Sequence, residues 1–220
     1  MQVKVLLSAA RELAALAYMG YPEKPSFSLI SAKYSLSERD LFALKKIVRW
    51  PKEAISSSIK RIPPEMAQGK EIRVDGYNVL GTIQALIEGE PVFLSNDGFV
   101  RDITSAYRSF HQRKIDDRAI ELLLGVLEAI KPKEVLVLFD QPVSKSGELS
   151  SRVRKGLSST NLKGDARTEK AVDTEVSKGE IAASSDIAVI KRAIAVIDLP
   201  SLIGESLEIK PLKFWKDYEF

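Results

Sequence analysis

The segment that most constrains the fold of this chain is the short apolar run Val135-Leu136-Val137-Leu138-Phe139, which ends at Asp140. A continuous apolar run of this length is typical of a strand that is buried on both faces of a parallel sheet. Further short strands are predicted at 72–74, 92–94, 181–184 and 195–197, and helices at 79–87, 100–110 and 117–130. Strands that alternate with helices predict a three-layer α/β fold with a mostly parallel sheet.

The first 62 residues carry a different pattern, in which apolar side chains repeat at the spacing of helices. Helices are predicted at 4–19, from Ser37 to Trp50, and at 52–60. Four basic side chains are expected to extend outward at and just after the second of these helices: Lys45, Lys46, Arg49 and Lys52. Because the pattern changes at Pro63-Pro64, we predict a small N-terminal helical unit (1–62), a linker (63–70) and an α/β domain (71–220).

The composition limits the chemistry that is open to this chain. It has no cysteine and a single histidine, His111, which excludes disulfide scaffolds, thiolate zinc sites and sites of several histidines. His111 lies close to Arg113 and Lys114 and is expected at the surface. No apolar run approaches the roughly 20 residues that span a bilayer, and the first residues do not resemble a secretory signal. A cytoplasmic protein that does not bind membranes is therefore expected.

Four carboxylates stand where predicted strands end or helices begin: Asp75, Asp140, Asp173 and Asp186. If the strands are parallel neighbours, these side chains share the edge at which open α/β sheets place their sites. Carboxylates that converge repel one another, and Mg²⁺ or Mn²⁺ with water would satisfy them. The alternative for each aspartate is a helix cap or an Asx turn, although caps need not recur at one edge. The set predicts a catalytic, metal-dependent site.

The acidic motifs resemble those of a known family. Asp75-Gly76-Tyr77-Asn78 resembles the opening motif of the NYN branch of PIN-like ribonucleases, and three later motifs follow that family's order over 71–198: Phe139-Asp140, Ala171-Val172-Asp173 and Ala183-Ser184-Ser185-Asp186. The resemblance implies a PIN-like, Rossmann-like domain whose four aspartates bind metal, and RNA products that carry 5′-phosphates. These nucleases usually add one more acidic ligand, for which Asp102, Asp97 or neither are open here; Asp102 is taken as the candidate fifth metal ligand.

A second resemblance covers nearly the whole chain. The chain is similar to a mainly archaeal group, domain of unknown function 434, through four motifs: Gly20-Tyr21-Pro22, Asp75-Gly76-Tyr77-Asn78-Val79-Leu80, Asn96-Asp97-Gly98-Phe99-Val100-Arg101-Asp102 and Asp140-Gln141-Pro142-Val143-Ser144-Lys145-Ser146-Gly147-Glu148-Leu149. The function of that group is not established. This resemblance therefore implies a fold and a site more than an activity.

Substrate-binding candidates flank the predicted carboxylate edge. Asn78 would hydrogen-bond a ligand carboxylate or a substrate phosphate. Ser144 and Ser146, before a helix that Gly147 opens, could receive a phosphate, and a plain capping turn is the open alternative. Farther along lies a basic stretch that could follow a nucleic-acid backbone and includes Arg152, Arg154 and Lys155. It lacks aromatic side chains for base stacking, so readout of a base sequence is not expected.

These observations favour a divalent-metal-dependent nuclease that hydrolyses phosphodiester bonds, most readily in RNA. Its expected partner is nucleic acid, the choice between RNA and DNA is not made by the sequence, and a homodimer is left open. The second hypothesis is a nucleic-acid-binding or regulatory module whose PIN-like site is degenerate. A phosphatase of the haloacid dehalogenase type is disfavoured because Asp140-Gln141-Pro142 lacks the second aspartate of that motif.

Overall fold

The apolar run 135–139 forms an inner strand of a five-stranded parallel sheet in the computed structural model, which describes residues 3–103 and 114–215. The strands of this sheet are β1 (Glu71–Asp75), β4 (Glu134–Asp140), β5 (Gly164–Glu169), β6 (Ile181–Ala183) and β7 (Val196–Ile197). Their spatial order is β5-β4-β1-β6-β7. A separate antiparallel hairpin pairs β2 (Val92–Leu94) with β3 (Val100–Asp102).

Helices cover both faces of the sheet. One face carries α5 (Gly76–Ile87), α6 (Asp117–Ile130), α7 (Ser146–Leu157) and α10 (Leu199–Ser206), and the other carries α8 (Val172–Ser177) and α9 (Ile187–Arg192). Inside β4, Val135, Val137 and Phe139 face the first core, whereas Leu138 faces the second. The strand is thus apolar on both sides because it is buried on both sides. The predicted three-layer α/β fold with a parallel sheet is confirmed.

Four helices precede the sheet: α1 (Val3–Tyr18), α2 (Glu23–Tyr34), α3 (Glu38–Ile47) and α4 (Pro51–Ser58). Ser37 caps α3 through a reciprocal pair of hydrogen bonds with Asp40. The stretch predicted as a linker contains a short 3₁₀ helix, Pro64–Ala67. The N-terminal helices build their own core, which also takes in Phe93 and Ile103 from the hairpin region and Phe214.

Several elements differ from the predictions. The prediction was wrong at the start of 100–110, because Val100–Asp102 is a strand; residues 104–110 and His111 fall outside the described residues. Four elements were not predicted: α2, α9, α10 and β5. No helix within 3–103 or 114–215 has the length and apolar character to cross a membrane.

Candidate active site

The candidate site lies at the carboxyl edge of the sheet, where the strand order reverses. β1 is central, and the chain continues to β4 on one side and to β6 on the other. Open α/β sheets bind ligands at such a reversal, outside the carboxyl ends of the strands. Asp75 ends β1, Asp140 ends β4, Asp173 is the second residue of α8, and Asp186 precedes α9. All four predicted aspartates therefore belong to this edge.

Asp75 is the deepest of the four. Its side chain is 6% exposed, and its two oxygens accept hydrogen bonds from the Asn78 amide nitrogen (3.2 Å) and the Ser184 hydroxyl (3.0 Å). Burial raises the pKa of Asp75 to about 7, with smaller contributions from the charges of Asp186 and Asp140, while the two hydrogen bonds act in the opposite direction. The carboxyl group is held in one orientation and shares its electrostatic environment with two other aspartates.

Helix capping accounts for two of the aspartates. Asp75 caps α5 through its hydrogen bond with Asn78, and Asp186 caps α9 by accepting from the Ala188 amide at 2.6 Å. The Ser184 hydroxyl joins the two loops, because it donates to Asp75 and accepts from the Asp186 amide at 3.0 Å. The capping alternative is thus realised at these two positions, and it occupies one oxygen of Asp186.

Capping does not explain Asp140 and Asp173. Neither is the N-cap residue of the helix that follows it, since α7 begins after Lys145 and α8 after Ala171. Burial raises the pKa of Asp140, and the charge of Asp173 raises it further. The pKa of Asp173 is raised by burial and then by Asp186, against a lowering by Arg192. These two carboxylates repel their acidic neighbours, and a hydrogen bond with its own backbone offsets only part of the rise in the pKa of Asp140.

The two candidates for a fifth metal ligand, Asp97 and Asp102, lie on the hairpin in different environments. Asp97 forms a buried bidentate ion pair with Arg101, with both N–O distances at 2.7 Å, and also accepts from the Phe99 amide. Arg101 in turn donates to the carbonyl oxygen of Ser185 at 2.9 Å. Asp97 therefore holds a residue that positions the loop before Asp186. Asp102 instead lines a cavity together with Asp186.

Asn78 is tied to the same loop. Its side-chain oxygen accepts from both the amide nitrogen (2.8 Å) and the hydroxyl (3.1 Å) of Ser185. Asn78 also lines the cavity, and its Nδ2 group donates no hydrogen bond to the described residues. Asn78 thus positions the Asp186 loop through its side-chain oxygen, and its side-chain NH₂ group can donate a hydrogen bond to a ligand.

The other predicted substrate contacts are less concentrated at the edge. Ser144 is exposed, whereas Ser146 is buried with its hydroxyl 3.5 Å from the Gln141 carbonyl oxygen. Arg152 pairs with Asp117 at 2.6 Å, and Arg154 pairs with Asp165 at 2.7 Å. Of these three cations, Lys155 is the one that is exposed and makes no ion pair with the described residues. The basic stretch also continues to Arg167 on β5, so its cations are divided between α7 and β5. Its role in binding stays a prediction.

A cavity of about 320 Å³ opens beside Asp186 and Asp102, and its far wall is helix α3. Lys46 of α3 donates to the carbonyl oxygen of Asp102 at 3.3 Å. Burial lowers the pKa of Lys46, while the negative charges of Asp102 and Asp186 raise it. The sequence indicated that Lys46 was an outward-facing residue of a separate helical unit. The apolar pattern of α3 shows which of its residues are buried in the helical core, but not that Lys46 contacts Asp102, 56 positions away.

The donor groups suit a hard cation, but they do not form a closed cage. Among the described residues, no three acidic or histidine side chains are placed to hold one metal ion together. Register is one cause, because Asp75 is level with Leu138, so Asp140 lies two residues, about 6–7 Å, farther out along β4. Mg²⁺ is commonly bound by only one or two carboxylates, with water and substrate phosphates completing its shell. The residues fit an open site of that kind.

Comparisons with known proteins add a family and a relative. Residues 64–202 match the model of a family described as a domain of unknown function (DUF5616), and this range includes all four aspartates. The chain is 31% identical over 191 residues to an uncharacterized protein of Methanocaldococcus jannaschii, covering 86% of this chain and 90% of the relative. No solved structure matches. Neither match bears on the resemblance to PIN-like ribonucleases, which stays a prediction.

Proposed function

The chain belongs to the family described as a domain of unknown function (DUF5616), and we propose that it is a divalent-metal-dependent nuclease that hydrolyses phosphodiester bonds in RNA. One observation carries the proposal. Asp140 and Asp173 lie at the carboxyl edge of the sheet, cap no helix, and have pKa values raised by burial and by acidic neighbours. A fold gains nothing from such repulsion, whereas a bound cation would relieve it.

The residues of the chain would share the work as follows. Asp75, Asp140, Asp173 and Asp186 would share the binding of Mg²⁺ or Mn²⁺, with Asp102 as a further ligand at the cavity wall. When bound, such cations activate water and neutralise the charge that develops on the scissile phosphate. Ser184 and Asn78 would keep the loops of Asp75 and Asp186 in register through the hydrogen bonds described above. The products would carry 5′-phosphates, and the reaction would take place in the cytoplasm.

The test is cleavage of labelled single-stranded RNA and DNA of mixed sequence with Mg²⁺, with Mn²⁺ or with a chelator. We expect cleavage of RNA that needs a metal and is lost in Asp140→Asn. Asp165→Asn is the matched control, because it removes an equal charge from an exposed ion pair on β5. Equal cleavage by the wild type and Asp140→Asn would contradict the proposal, since the activity would then not come from this edge.

A second candidate function is a nucleic-acid-binding or regulatory module with a degenerate site. Two observations favour it: no three described acidic groups are placed to hold one metal, and Asp75 and Asp186 already accept hydrogen bonds from the backbone. The same assay separates the two functions. Binding of RNA with no cleavage under either metal would replace the nuclease by the binding module.

A further inference from the structure

Helix α3 of the N-terminal unit forms one wall of the cavity beside the carboxylate edge. The opposite walls come from α5, from β3 and from the loop that carries Asp186. Phe42 and Lys45 stand on the α3 wall, and Asn78 stands across from it. The cavity is thus acidic on the side of the sheet and basic and aromatic on the side of α3. The α3 wall supplies side chains that the predicted aspartate site does not include.

The basic side chains around the cavity differ in the interactions that they already make. Lys46 faces Asp102 and Asp186, Arg49 pairs with Glu53 at 2.6 Å, and the buried Arg101 pairs with Asp97. Lys45, by contrast, is exposed and makes no ion pair within the described residues. Its ammonium group lies 5.6 Å from the centre of the Phe27 ring, a cation–π contact that does not neutralise its charge. Lys45 is therefore the cation of this wall that an incoming anion can use.

Phe42 and Asn78 supply the other two features of a nucleotide site. Phe42 is 50% exposed, although it is a large apolar side chain, and the ammonium of Lys46 lies 5.4 Å from its ring centre. An exposed ring beside cations is a surface on which an unpaired base can stack. The amino group of Asn78 can donate to an oxygen of the same ligand. About 320 Å³ is at the lower end of the range for ligand pockets, and it cannot admit a duplex.

We propose that this cavity binds one unpaired nucleotide of a single-stranded RNA next to the bond that is cleaved. Lys45 contacts its phosphate, Phe42 stacks on its base, and Asn78 donates a hydrogen bond to it. The inference rests on the proposed function for the identity of the ligand as nucleic acid. It gives the N-terminal helical unit a role, because α3 completes a binding site that the α/β domain has only in part.

The test measures binding separately from cleavage. A fluorescein-labelled single-stranded RNA of ten nucleotides is titrated with the full chain in chelator, and the anisotropy is followed at several salt concentrations. We expect Lys45→Ala to weaken binding roughly tenfold and to reduce the slope of log K against log salt by about 0.7, the value for one lost contact to a single strand. We expect Phe42→Ala to weaken binding about fivefold or more, as the loss of a stacked base does.

Two matched variants control for charge and apolar surface. Lys52→Ala removes an equal charge from exposed α4, and Leu29→Ala removes an apolar side chain that is 58% exposed on α2; neither lines the cavity. If Lys45→Ala and Phe42→Ala bind no worse than these controls, or if an RNA duplex binds as tightly as the single strand, the nucleotide site is overturned. Absence of cleavage under both metals, with the two variants still weakened, overturns the nuclease and upholds the site.

Discussion

The carboxyl group of Asp75 is buried at the end of the central strand, and burial raises its pKa to about 7. The native state therefore holds a proton more tightly than the unfolded chain, in which an aspartate titrates near pH 4. Asp198, the buried cap of α10, affects stability in the same direction, because burial raises its pKa to about 6. Between pH 4 and these values, each group lowers the stability of the fold by about 1.4 kcal/mol per pH unit as the pH rises.

We predict that the metal-free protein is less stable at pH 8 than at pH 5, and that Asp75→Asn removes a large part of this difference. The asparagine has a similar shape and no charge to bury, so the variant should unfold at higher urea than the wild type at pH 8. Urea unfolding in chelator at the two pH values measures both effects. Asp165→Asn, at an exposed position, should leave the pH dependence unchanged. If the stability of Asp75→Asn depends on pH as that of the wild type does, the raised pKa of Asp75 is contradicted.

The aspartates of the candidate site could be predicted because each follows a strand or opens a helix, and that relation is local in the sequence. The groups that hold them in place could not. Ser184 reaches Asp75 across 109 positions, and Arg101 reaches Ser185 across 84. The spacing of Asp97 and Arg101 by four residues was visible in the motif, but a buried bidentate pair on a hairpin follows only from the fold.

At the scale of elements, the strands and helices with a clear apolar period were predictable, and those without one were not. β5 is the edge strand of the sheet, and its sequence Gly-Asp-Ala-Arg-Thr-Glu is polar because only Ala166 is fully buried. α2 buries Phe27 and Ile30 but shows no continuous apolar stripe, and its first turn contains Pro25. Proline is tolerated there because the first turn of a helix has amide groups without intrahelical partners.

Gly76 shows how one residue joins two elements. A glycine directly after a strand can serve a sharp turn, but Gly76 is the first residue of α5 and does not have a positive φ. Space is the reason instead, because a Cβ atom at this position would collide with the ring of Phe139 on β4. That ring also meets Tyr77 edge to face, with 5.3 Å between the ring centres. The approach of α5 to β4 sets the position of Asp75 relative to Asp140.

We predict that Gly76→Ala destabilises the fold by about 1–3 kcal/mol, the usual cost of overpacking a core. Thermal or urea unfolding measures the change. Gly125→Ala is the matched control, since Gly125 lies inside α6 with nothing within 4 Å of an added Cβ, and it should gain up to about 1 kcal/mol from helix propensity. Phe139→Leu should relieve part of the clash, so the double variant should lose less than the sum of the single losses. Additive losses would contradict the contact.

At the scale of the whole molecule, the N-terminal helices and the α/β domain meet around the hairpin β2–β3. Phe93 and Ile103 pack into the helical core, whereas Arg101 between them reaches the Ser185 loop at the sheet edge. The sequence predicted a change of pattern near residue 63 but not this bridge, because the residues that form it lie in two three-residue strands and the position after the second. The carboxylate edge, the cavity and α3 are thus one continuous surface.

This arrangement leads to a prediction about how metal and RNA depend on each other. If the described acidic groups hold a cation only in pairs, the oxygens of a substrate phosphate must complete its shell. We predict that the free protein binds Mn²⁺ weakly, and that a single-stranded RNA with uncleavable phosphorothioate linkages tightens this binding by roughly 5–150-fold, the usual range of coupling between sites. Mn²⁺ must then tighten the binding of that RNA by the same factor. Electron paramagnetic resonance of free Mn²⁺ and RNA anisotropy measure the two factors independently.

Asp140→Asn should abolish the coupling between Mn²⁺ and RNA while the cavity still binds RNA, whereas Asp165→Asn should preserve the coupling. Tight Mn²⁺ binding without RNA, or equal Mn²⁺ affinity with and without RNA, would contradict an open site completed by the substrate.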